Sequence, residues 1–218
     1  MKIRIAIDLK VGRIVKYFIF VDLALLAGWG LIAPIFSVFV ITKVAGATLI
    51  TVGTGAAIYW ILKSILQLPL ANYLDKNPGE KDDLYALILG LLIASFSAFS
   101  FSLVRTIPQL YFVQALQAVG FALYAAAWPA IFSRHLDKDR VSFDWALDST
   151  AAGLAAGASA FLGGIAAKFL GFESVFILAS LFTGVSALIL LLAPDLVLPR
   201  RTTGEATRKD HTPTTLGV

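Results

Sequence analysis

The chain of 218 residues contains no cysteine, two histidines and one methionine. Without cysteine there is no disulfide framework, no thiolate metal site and no cysteine nucleophile. His135 and His211 both lie in polar stretches, so a histidine-rich metal site inside an apolar segment is excluded too. Charge is scarce. Asp, Glu, Lys and Arg make up 15% of the residues, where a soluble domain carries about a quarter. Hydrophobic residues make up 58%, more than a compact soluble fold of this size can hide. These shortages exclude an ordinary soluble enzyme, a secreted disulfide scaffold and a disordered chain. No glycine-rich loop leads into Lys-Ser/Thr, so ATP hydrolysis by this chain is excluded as well. An intramembrane serine protease is a poor fit. Ser159 is followed by Ala160, and no apolar stretch contains histidine.

What is abundant is long apolar sequence. A bilayer-spanning helix needs about 20 mostly apolar residues. Six stretches qualify: 17–42, 48–74, 84–104, 108–132, 143–169 and 175–196. The reading is an all-α integral membrane protein with six transmembrane helices. A basic segment, 1–16, precedes the helical domain, 17–198. A polar, threonine-rich tail, 199–218, follows and reads as disordered. The links alternate in length. Those near Ala45-Gly46, Arg105-Thr106 and Gly171-Phe172 are very short, which predicts three tight helical hairpins.

Orientation follows from where the 18 lysines and arginines sit. Lys2, Arg4, Lys10, Arg13 and Lys16 precede the first span. Lys76 and Lys81 lie between the second and third, and Arg134, Lys138 and Arg140 between the fourth and fifth. Arg200, Arg201, Arg208 and Lys209 follow the last. The opposite side has only Lys43, Arg105 and Lys168, and Lys63 lies inside a span. By the positive-inside rule both termini are cytoplasmic and the protein sits in the cell membrane. The net charge of +4 is thereby a matter of topology, and no nucleic-acid partner is expected.

Polar groups inside the spans are the candidate site. Tyr59, Lys63 and Gln67, spaced by four, share a face of the second span. A lysine near a span's centre costs at least ~2.5 kcal/mol on insertion scales, so Lys63 reads as a substrate or coupling-ion contact. The bland alternative is a lysine that snorkels or pairs with a carbonyl. Asp22 reads either as a titrating carboxylate and partner of Lys63 or as a hydrated interfacial residue. Trp29 shares its face. In the fourth span Gln114, Gln117, Phe121, Tyr124 and Trp128 recur at three and four, a stripe suited to lining a cavity or to interhelical packing. Asp144 and Asp148 open the fifth span, where carboxylates complement a helix N-terminus. Gly153, Gly157 and Gly164 form a small-residue seam that reads as helix packing. No metal and no cofactor are expected.

Three motifs resemble the N-terminal half of a major facilitator superfamily transporter. Gly28-Trp-Gly30-Leu-Ile-Ala-Pro34 is similar to the family's first-span Gly-x-Gly-(x)₃-Pro pattern. Asp75, Lys76, Gly79 and Lys81 resemble its loop signature Gly-(x)₃-Asp-Arg-x-Gly-Arg-Lys. Here Ala71 replaces the leading Gly, Lys76 replaces Arg, one residue is inserted, and Glu80 stands where a basic residue is usual. Gln114-Ala-Leu-Gln117-Ala-Val-Gly120 resembles the fourth-span Arg-x-x-Gln-Gly-x-Gly motif, with Gln114 in place of the Arg linked to proton coupling. The resemblance covers about residues 17–195. It implies a half built as 3+3 helices, with the first and fourth lining a cavity and the third and sixth facing lipid. The family's two halves are parallel repeats about an axis along the membrane normal, so two copies of this chain would reproduce them.

The expectation is a homodimeric secondary transporter that moves a small molecule by alternating access. Trp29, Tyr59, Lys63, Gln114, Gln117, Tyr124 and Trp128 are expected to bind the substrate. Asp22 and Lys63 are expected to couple an ion, and the 75–81 loop to gate. Half of a split or degenerate transporter, or a membrane scaffold needing a different six-helix partner, is the alternative.

Overall fold

The structure is a computed structural model that describes residues 11–76 and 80–192. Gly79 of the loop motif, the tail after 198 and the end of the sixth stretch lie outside the described residues. Among the described residues six helices follow one another: α1 (Arg13–Ile32), α2 (Phe36–Lys43), α3 (Leu49–Lys76), α4 (Lys81–Phe101), α5 (Ile107–Arg134) and α6 (Val141–Leu192). Five of them are long and apolar enough to cross a membrane.

Helix count and span count agree only after two local events. The first expected span is broken into α1 and α2 around Pro34. Proline has no N–H to give and its ring crowds the preceding turn, so the chain needs a fresh start at Phe36. At the other end, α6 has 52 residues, which at about 1.5 Å per residue would run about 78 Å. A hydrocarbon core of about 30 Å cannot hold that in one pass. The helix is turned at Gly171, whose φ of 84° and ψ of 164° only glycine adopts without strain. Six crossings result, at the six stretches expected. Helix α1 starts four residues before the expected 17, because Val15 is fully buried while Arg13 and Lys16 point outward.

The three short links meet at one end of the bundle. The Ala45 amide donates to the Arg105 carbonyl at 2.9 Å. Arg105 bonds the Ser102 and Val104 carbonyls and pairs with Glu173 at 2.5 Å, just past the Gly171 turn. Thr106 and Gln109 form a capping box that starts α5. At the opposite end Arg134 pairs with Asp83, His135 lies 3.7 Å from Glu80, and the Asp137 amide donates to Asp144 at 3.0 Å. Tyr17 donates to the Ile189 carbonyl and fastens α1 to the end of α6.

Among the described residues, glycines outside the small-residue seam set the closest approaches within the chain. A Cβ on Gly163 would fall onto the Leu31 carbonyl oxygen, and one on Gly30 would lie 2.8 Å from that of Ala156. Gly28 meets Ala179 in the same way, so α1 is pressed between the two halves of α6. Gly90 and Gly120 bring α4 against α5. Gly153, Gly157 and Gly164 have nothing within 4 Å of the same point. They lie on the other side of the helix and face outward, so among the described residues they pack against nothing.

Candidate functional site

Helices α1, α3 and α5, with the start of α2, enclose a cavity of ≈ 430 Å³. The Pro34 break matters here, because it leaves Ala33 at the wall and turns Phe36 toward the same space. Trp29 and Phe121 meet edge to face with centroids 5.0 Å apart, and Tyr59 meets Phe121 at 6.0 Å. Gln114 is buried against Gly55 of α3, where a Cβ would come within 3.6 Å of its amide nitrogen. Gln117 lies half-buried one turn on. The space is therefore aromatic on three sides, with two amides as directional polar groups. Such a mixture fits a small organic molecule.

Four of the expected binding residues line this cavity: Trp29, Tyr59, Gln114 and Gln117. Lys63, Tyr124 and Trp128 do not. Lys63 sits one turn beyond Tyr59, half-buried, with Nζ 5.1 Å from the Trp60 ring centroid. That is a cation–π contact, which lowers the cost of keeping the charge in an apolar setting. Trp128 is 5% exposed and stacks on Phe132 at 4.5 Å, with Phe18 and Trp145 around it. It belongs to an aromatic plug. The fourth-span stripe is divided because α1 side chains reach it in rungs: Trp29 on Phe121, Asp22 on Tyr124, Phe18 on Trp128. The first rung borders open space, and the last is closed by Trp145 of α6.

Asp22 is buried, and its partner is Tyr124, whose hydroxyl donates to the carboxylate. Among the described residues it forms no ion pair with Lys63. What the sequence pattern missed is the place of Asp148 beside Asp22. Asp148 is 6% exposed, has one oxygen without a hydrogen-bond partner among the described residues, and lies close enough to interact electrostatically with Asp22 and Tyr124. Its position at the start of α6 read as a dipole partner, and nothing in the spacing announced that α1 and α6 would bring the two carboxylates together. Trp60 and Phe36 are aromatic wall residues not foreseen. Trp60 was legible in principle, since it lies three residues before Lys63 on the same face. Phe36 was not, because the bend at Pro34 decides where it points.

Asp75 and Lys76 end α3, exposed, and Lys81 begins α4, also exposed. Among the described residues no group of three or more His, Asp or Glu could hold a metal ion.

Six apolar crossings, short links gathered at one end and an aromatic cavity between α1, α3 and α5 define a polytopic membrane protein built to hold a small molecule. The Major Facilitator Superfamily profile matches residues 18–216, and the chain belongs to that family. It is therefore a transporter of the superfamily, in which a small-molecule substrate crosses a lipid bilayer. Comparison with curated proteins gives no match.

Proposed function

We propose that the protein is a secondary transporter that works as a homodimer by alternating access, with both termini on the cytoplasmic side of the cell membrane. The cavity between α1, α3 and α5 is the observation that carries this reading. One six-helix bundle supplies one wall, and a second copy related by a two-fold along the membrane normal supplies the other. The exposed face of α3 supports that arrangement. Trp60, Ile61, Ile65 and Leu68 are all more than half exposed on it. The outward glycines of α6 give the partner's α3 a place for close approach. Asp75, exposed at the end of α3, would then meet the N-terminus of the partner's α6, where a carboxylate is favoured.

Trp29, Tyr59, Gln114 and Gln117 bind the substrate, with Phe121 and Trp60 completing the aromatic wall. Asp22, with Tyr124 and Asp148, is the ion-coupling centre. It lies deeper than the substrate and is joined to it through the α1–α5 rungs. Lys63 faces the second copy, one turn beyond Tyr59, and favours a substrate with an anionic group. The loop from Asp75 through Lys81 gates.

Site-specific cross-linking in native membranes tests the assembly. The chain has no cysteine, so single-cysteine variants start from a clean background. Cysteines at Gly53 and Gly164 both occupy open positions. Disulfide formation between separately tagged copies is the expected result. A chain that cross-links only to a different protein would favour the split-transporter alternative.

A further inference from the structure

We infer that the molecule held in the α1–α3–α5 cavity is a flat aromatic acid, with its ring among the cavity aromatics and its carboxylate on Lys63. This deepens the transporter reading and rests on it. The wall that α3 gives the cavity is Ala56, Tyr59 and Trp60. That spacing of three and four carries the same face on to Lys63. Long helical side chains lean toward the helix N-terminus, so the ammonium comes back over Trp60, 5.1 Å from the ring centroid. Lys63 therefore stands at the rim of the cavity, one turn or about 5 Å along from its wall.

Lys63 lies in the middle of a helix of 28 residues. Among the described residues it has neither a hydrogen bond nor an ion pair, only the Trp60 ring. A cation at that depth is costly without a counter-charge, and a ring face offsets only part of the cost. Asp22 does not serve, since its carboxylate takes the Tyr124 hydroxyl at the next rung of the α1–α5 contact. An anion that arrives with the substrate completes the pair. An aromatic wall by itself would suit an organic cation equally well. Charge decides against one: no carboxylate is among the described lining residues, and the cation at the rim would repel it. The rings choose the body of the ligand. Trp29 meets Phe121 edge to face, and Tyr59 meets Trp60 in the same way at 5.1 Å. Edges and faces thus alternate around the space, and a flat ring packs against both. Gln114 and Gln117 offer amides to a ring substituent.

Tryptophan quenching in the full chain in detergent tests this, because Trp29 and Trp60 both line the cavity. The probes are naphthoate, naphthamide and naphthylmethylamine at neutral pH, one ring system with three charges. The acid should bind about tenfold more tightly than the amide, the scale of one charge-assisted hydrogen bond, and the amine most weakly. Lys63→Gln should bring the acid to the amide's affinity and leave the amide's own unchanged, while Lys63→Arg should keep the preference. Lys168→Gln removes an exposed cation outside the cavity and should change nothing. Partition of the probes into micelles is common to all variants and cancels. Equal affinity for acid and amide in the unaltered chain, or a preference that survives in Lys63→Gln, would overturn the proposal. Preferential acid binding by a chain that forms no homodimer keeps the substrate class and removes the assembly. A cross-linked homodimer that favours the amine does the opposite.

Discussion

The α1–α5 contact has two halves built from the same kinds of residue. Around Trp29, Phe121, Gln114 and Gln117 it borders a cavity. Around Phe18, Trp128 and Phe132 it is a closed aromatic plug. Both lie on one continuous stripe of α5. What differs is the third partner. At the plug Trp145 of α6 closes over the rings at 4.9 Å from Phe132, whereas at the cavity α2 bends away after Pro34. The same side chains can thus be machinery or mortar, and a neighbouring helix decides which.

The largest effect should come from the glycines that fasten α1 to α6. Gly163→Val forces atoms into the Leu31 backbone and should cost about 3 kcal/mol or more, since backbone cannot yield as a side chain can. Gly164→Val, one residue on and open, should leave the thermal midpoint of the detergent-solubilised monomer nearly unchanged. Equal loss in both would refute the assignment of inner and outer faces.

Next comes the plug against the cavity. Trp128→Ala should lower stability by about 3 kcal/mol, as large-to-small changes in buried aromatics do. Trp29→Ala borders existing space and should cost less stability while weakening ligand binding. Thermal scans with and without ligand separate the two, and a Trp128 variant that is stable but binding-deficient would put that residue back in the site.

Tyr124→Phe removes the donor to Asp22 and leaves a buried carboxylate short of a partner, a loss of about 1–3 kcal/mol. A double-mutant cycle with Asp22→Asn should show coupling between the two residues. A coupling energy near zero would mean that the contact does not form.

The smallest effect is expected at the link end. Arg105 and Glu173 have half-exposed side chains, so Glu173→Gln should cost about 0–1 kcal/mol, less still in high salt. A large loss there would mark the link cluster as a gate and not a surface tie.

Much of this was written in the chain. Apolar length and the scarcity of charge dictate a membrane protein with six crossings, because no other solvent accepts such a composition. The short links at Gly46 and Gly171 were legible as turns, and both glycines adopt positive φ. The motifs of the first and fourth spans marked Trp29, Gln114 and Gln117. Periodicity places residues on a common face of one helix, but not the neighbour that face will meet. That is why Trp128 parts from Gln117, why Asp148 comes to Asp22, and why the glycines that bring α1 against α6 are Gly28, Gly30 and Gly163. Face membership is a property of one helix and its 3.6-residue turn. Burial, partnership and access to a cavity depend on where other helices cross it, and only the tertiary structure decided those.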